Sequence, residues 1–243
     1  MLNFKIILLV LVLIIFPLLT FAVKIKVSVR EKLDFMLEYF NYSKKSNLLT
    51  FQTVVYNPGS VGYKVRLRAE AFKEKERISQ SWSKEVDLFP GASKTLNFHL
   101  YLPDKGNYSI RIRAYFGNEI EEVKNLTIVV NSLLNETFYI NLKLWAIFPD
   151  EIMLKFKGEE ANLLVLPYNF PSSWILEEKS IKEWKGEIVR LKFEGLFFPA
   201  EIKLVAVNLK TYEVCEIPIK FENLETSKLI FYFKSFLIDI FAI

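Results

Sequence analysis

Residues 63–71 read Tyr63-Lys-Val-Arg-Leu-Arg-Ala-Glu-Ala71, and residues 108–114 read Tyr108-Ser-Ile-Arg-Ile-Arg-Ala114. Both stretches alternate polar and apolar side chains at every step. Successive side chains of a strand point to opposite faces, so this pattern predicts strands with one buried and one wet face. Lys24-Ile-Lys-Val-Ser-Val-Arg30 has the same period, and Leu48–Asn57, Ser79–Leu88, Ser93–Leu102 and Leu126–Val130 read as further strands. Turn residues lie between them at Asn57-Pro-Gly59, Pro90-Gly91 and Pro103-Asp-Lys-Gly-Asn107. So many short, evenly spaced strands predict an immunoglobulin-like β-sandwich over residues 24–131.

Asn131–Glu136 is polar at both ends and reads as a linker. Thr137–Trp145, Glu151–Lys157, Asn162–Leu166, Glu187–Glu194, Glu201–Leu209 and Tyr212–Phe221 then form a second strand series. The expectation is an all-β chain with a second, smaller sandwich over 137–223. Pro167–Trp184, with two Pro and two Trp, is its irregular part.

The first series carries a resemblance. Thr53-Val-Val-Tyr-Asn-Pro-Gly-Ser60, Val86-Asp-Leu-Phe-Pro-Gly-Ala-Ser-Lys-Thr-Leu-Asn-Phe98, Gly106-Asn-Tyr-Ser-Ile-Arg-Ile112 and Gly117-Asn-Glu-Ile-Glu-Glu-Val-Lys-Asn125 resemble the CARDB/APHP-type immunoglobulin-like domains of archaeal and bacterial surface proteins, over residues 45–131. The resemblance implies adhesion, spacing or binding roles in a cell envelope, and no catalytic residues. Tyr108 would lie inward with its hydroxyl bonded to a nearby loop, as in a tyrosine corner.

The 243 residues are 51% hydrophobic with a net charge of +4, which excludes a disordered chain and gives no basic run for nucleic acid. One Cys and one His exclude a disulfide framework and a Cys/His zinc site, and no cofactor or metal is expected. Lys (25) and Glu (23) far outnumber Arg (7), Asp (5) and Gln (2). That is a hyperthermophile's balance, although an AT-rich genome also favours Lys.

Ile6–Val23 contains no charge, with Lys5 before it and Lys24 and Lys26 after it. Residues 1–23 therefore read as a transmembrane anchor, or as a signal peptide cleaved after Ala22. Either carries the remainder across a membrane. Sequons at Asn41, Asn107, Asn125 and Asn135 fit glycosylation outside the cell. The apolar tail 228–243 is broken by Lys228, Lys234, Ser235 and Asp239. It fits an interfacial helix, a helix against a partner's membrane segment, or a terminal element packed on the second sandwich.

No nucleophile, base and orienting group stand out together. His99 reads as a solvated strand residue, Cys215 as a small buried hydrophobe, and Trp174 and Trp184 as core or as sugar-stacking surfaces. Adjacent Glu pairs such as Glu177-Glu178 point to opposite faces of a strand. The sharpest candidate is a basic patch. In a sandwich, 63–71 and 107–116 are neighbouring strands, which puts Lys64, Arg66, Arg68, Arg111, Arg113 and Tyr115 on one outer face. Such a face suits an acidic glycan, lipid head groups or an acidic protein; the competing expectation is neutralisation by Glu70, Glu119 and Glu121. The function expected is a membrane-anchored extracytoplasmic binding or scaffold protein of the envelope, such as an accessory subunit of a membrane complex. The alternatives are a surface filament assembled by strand exchange through residues 24–40, and an envelope glycosidase.

Overall fold

The computed structural model describes residues 32–148, 150–195 and 201–220. The leader 1–23 and the tail 228–243 lie outside the described residues. Among the described residues no helix is long and apolar enough to cross a membrane. Among the described residues the fold is all-β, and every sheet is antiparallel.

The first layer pair is built from β1 (Met36–Lys45), β2 (Leu48–Tyr56), β3 (Tyr63–Lys73), β4 (Glu76–Trp82), β5 (Val86–Leu88), β6 (Ser93–Tyr101), β7 (Gly106–Phe116) and β8 (Glu119–Val130). One sheet has the order β1-β2-β6, and the other β4-β3-β7-β8 with β5 on β3. Their inner faces interlock through Leu49, Phe51, Leu96 and Phe98 on one side and Val65, Leu67, Ile110 and Ile112 on the other. These are the apolar positions of the alternating stretches. Each apolar side chain buried here contributes about 1.5–3 kcal/mol.

The single strand expected over Ser79–Leu88 is instead two, β4 and β5. β4 starts early because β3 reverses at Glu74 and Lys75, both at positive φ (52° and 71°). That is a two-residue hairpin made without the usual Asn or Gly, so no turn residue announced it. Asn57 is fully buried. Its side-chain amide donates to the carbonyls of Val61 (2.8 Å) and Leu88 (3.1 Å), and its oxygen accepts from the Gly59 N–H at 2.9 Å. The Asn-Pro-Gly turn is thus held from inside. The Tyr108 hydroxyl donates to the Asp104 carbonyl at 2.9 Å, tying β7 to the loop before it.

The second pair is built from β9 (Ile140–Ile147), β10 (Glu151–Gly158), β11 (Ala161–Asn169), β12 (Ile175–Leu176), β13 (Lys179–Trp184), β14 (Val189–Glu194), β15 (Glu201–Asn208) and β16 (Glu213–Lys220). The orders are β12-β14-β10-β9 and β13-β11-β15-β16. Ile152, Leu154, Val189 and Leu191 pack against Leu163, Val165, Leu204 and Ala206, with Trp174 and Trp184 buried in the same core.

The β13-β11-β15-β16 sheet is covered on both sides. Its other face carries Leu164, Leu166, Val205, Val207 and Val214, and these pack on Leu48 and Tyr101 of the first sandwich and on Leu134. Continuous apolar runs, Leu163–Leu166 and Leu204–Val207, follow from burial on both faces. The segment expected as a linker is pinned. The Leu134 N–H donates to Asn47 Oδ1 at 2.9 Å, and the Val214 N–H to the Asn135 carbonyl at 2.8 Å. In strand exchange, residues 24–40 would have to release Met36–Phe40, which already pair with β2 of their own chain.

Candidate functional site

β3 and β7 pair antiparallel with Arg66 opposite Tyr115, Arg68 opposite Arg113 and Glu70 opposite Arg111. Their partners on the inner face are buried, so the four arginines, Lys64 and Tyr115 do share one outer face. That face is covered at Arg68, where the irregular 170–178 segment of the second sandwich lies across β4 and β3, while Lys64 stays exposed and Arg66, Arg111, Arg113 and Tyr115 are half-buried. Arg68 is only 5% exposed. Period 2 fixes the face a side chain takes and says nothing of what lies over it: at Arg68 the second sandwich does, and elsewhere the face is partly open.

The cover is held by donors from the first sandwich and carbonyls from the second. Gln80 Nε2 donates to the Phe170 carbonyl at 2.6 Å, Trp82 Nε1 to the Trp174 carbonyl at 3.1 Å, and Arg68 to the Ser172 carbonyl at 3.2 Å. Gln80 also takes an Arg68 hydrogen bond through its side-chain oxygen. Trp82 and Glu177 form a parallel bridge that closes the β4 edge. Arg68 lies 5.2 Å from the Trp82 ring centroid, and Tyr115 packs on the same ring at 4.7 Å.

His99, expected in solvent, also sits at this junction. Glu178 accepts its backbone N–H at 2.8 Å and meets its ring Nδ1 at 2.8 Å. The neighbouring Glu177 turns away to Lys192 at 3.6 Å, so the two carboxylates of this pair do diverge. Tyr101 and Tyr168, one from each sandwich, both donate to Glu216, at 3.2 and 3.0 Å. Burial first, and Glu216 second, push both phenols far above their usual range.

Two charge groups remain on the arginine face. Arg66 pairs with Glu85, which also takes Lys64 at 3.3 Å and Lys192 at 3.8 Å. Burial pushes the Glu85 carboxyl up, but Arg66, Lys64 and Lys192 outweigh it and hold the group below the usual carboxylate range. Lys64, Arg66, Trp82, Glu85, Tyr115 and Ile175 line a cleft of about 680 Å³ here. The other group centres on Glu70, 4% exposed. Arg68 reaches its Oε1 at 2.9 Å, Arg77 the same oxygen at 3.5 Å, and Arg113 its Oε2 at 3.5 Å. Burial, then the Arg68 charge, lower the Arg77 pKa. Arg111 pairs separately with Glu122 at 3.0 Å. Of the expected neutralisers only Glu70 serves. Glu85 and Glu122 do the rest, and Arg77 joins from β4, hidden from the sequence by the unmarked hairpin.

Cys215 is half-buried, with Sγ 3.4 Å from the Ile140 carbonyl oxygen, and burial raises its thiol pKa. Asn41, Asn107, Asn125 and Asn135 are all exposed. Among the described residues no three His, Cys, Asp or Glu side chains are grouped to hold a metal ion.

No family model matches the chain. No curated protein is similar to it in sequence. Among solved structures it is similar to the crystal structure of red sea bream transglutaminase, with a TM-score of 0.28 and 7% identity, covering 77% of this chain and 31% of that one.

Proposed function

We propose that this is a membrane-anchored, extracytoplasmic binding or scaffold protein of the cell envelope, in which two immunoglobulin-like sandwiches are locked into one rigid arm. The strand orders β1-β2-β6 and β4-β3-β7-β8 support the immunoglobulin-like reading of the first sandwich. One observation carries the function: polar side chains of the first sandwich hydrogen-bond across the junction to the second, and one from the second back to the first. His99 is held by Glu178, Arg68 by the Ser172 carbonyl, Gln80 by the Phe170 carbonyl, and Trp82 by the Trp174 carbonyl. Such an interface resists the hinge motion that is the default between domains. The four exposed sequons and the uncharged Ile6–Val23 run support an external location. The protein would act through its surfaces, on other envelope proteins or anionic glycans, and without catalysis.

The test is fractionation of cells producing the full chain, followed by protease treatment of intact cells and cross-linking. The expected result is a membrane-bound protein, digested from outside, that captures envelope components. Recovery in the cytosol, protected from external protease, overturns the reading.

A further inference from the structure

Glu70 brings one negative charge to three arginines. Arg68 is 5% exposed, and its Nε has no hydrogen-bond partner among the described residues. The side chains of Arg77 and Arg113 are 27% and 30% exposed and approach the carboxylate only to 3.5 Å. That distance marks Coulombic attraction with the hydrogen bonds largely unspent. The Arg113 side chain makes no hydrogen bond among the described residues, and that of Arg77 reaches only the Glu70 carboxylate and the Phe170 carbonyl, both at 3.5 Å. The neighbouring groups do not supply the missing charge. Arg111 and Glu122 form a neutral pair, and Glu85 is taken by Arg66, Lys64 and Lys192.

We propose that Arg77 and Arg113, backed by Arg68 on Glu70, form a binding site for a single oxyanion. Guanidinium forks match the paired oxygens of sulfate, phosphate and carboxylate. Only Arg77 and Arg113 of the three arginines are partly exposed, so two guanidinium groups are open to solvent here, which suits one small anionic group. The group is either a free inorganic anion or the carboxylate of a uronic acid in a glycan. The site does not depend on where the protein resides, so it stands or falls separately from the envelope reading.

The test uses the full chain, with melting temperature and calorimetric titration followed in potassium sulfate, potassium phosphate, potassium galacturonate and potassium chloride at equal ionic strength. At least one oxyanion is expected to bind and to raise the melting temperature above the chloride value. Because sulfate and phosphate stabilise folded proteins by exclusion from their surface, the calorimetric titration decides: saturable binding of sulfate and phosphate alone, lost in Arg113→Gln, identifies a free inorganic anion as the occupant, and saturable binding of galacturonate identifies a glycan carboxylate. Arg113→Gln, at a partly exposed position, is expected to weaken binding by about tenfold or more, as is Arg77→Gln. Glu70→Gln removes the competing carboxylate and is expected to tighten it. No difference from chloride for any oxyanion, or an Arg113→Gln protein that binds as well as the parent, overturns the proposal.

Discussion

Lys75 is held at φ 71°, a conformation that costs a residue with a Cβ about 1–2 kcal/mol and glycine almost nothing. Lys75→Gly is therefore expected to stabilise the protein by about 1 kcal/mol, read as a higher midpoint in urea with an unchanged slope. Gly59 is the opposite case. A Cβ there would run into the Lys32 carbonyl oxygen and press on Asn57 Oδ1. Gly59→Ala is expected to cost about 1–3 kcal/mol in the same measurement. The two positions also differ in how far the sequence discloses them. Asn57-Pro-Gly59 is legible because its residue types are those a turn requires, whereas Glu74-Lys75 is a turn imposed by the pairing of its flanking strands. Arg77 was missed for that reason, and with it the third member of the Glu70 cluster.

Among the elements, strands wet on one face were readable and strands buried on both were less so. β3 and β7 alternate strictly, and their pairing followed from the sandwich pattern. β11 and β15 contain unbroken apolar runs that mark burial on both sides, but such a run does not name what covers the second face. Here Leu48 and Tyr101 of the first sandwich cover it, and the pair Tyr101–Tyr168 meets over Glu216. Both phenols have folded pKa values raised above the ordinary value of about 10. The sign follows from linkage: the fold favours the protonated phenols, so their contribution is complete below about pH 10 and is lost as pH rises towards the elevated folded values. Stability measured in urea is expected to fall above about pH 10, and the Tyr101→Phe, Tyr168→Phe double variant is expected to show a shallower fall. Equal alkaline slopes in the two proteins would remove the tyrosines from the account.

At the scale of the molecule, the position of the arginines on one face could be read from the sequence and the concealment of Arg68 could not. Concealment is a relation between residues 90 to 104 apart in the chain, made by the carbonyls of Phe170, Ser172 and Trp174 that no residue code displays. The same relation predicts cooperativity. With an apolar core shared between the sandwiches and the segment around Leu134 fixed at both ends, the full chain is expected to unfold in one calorimetric transition whose van't Hoff and calorimetric enthalpies agree. Two resolved transitions would show that the sandwiches melt independently.

The doubly covered β13-β11-β15-β16 sheet also bears on inheritance. Beads on a string can be duplicated, shuffled or lost one at a time because each bead is wet all round. A gene fragment encoding only the second sandwich would present Leu164, Leu166, Val205, Val207 and Val214 to water, a sticky plate that invites aggregation. Recombination is therefore expected to transmit the two sandwiches together.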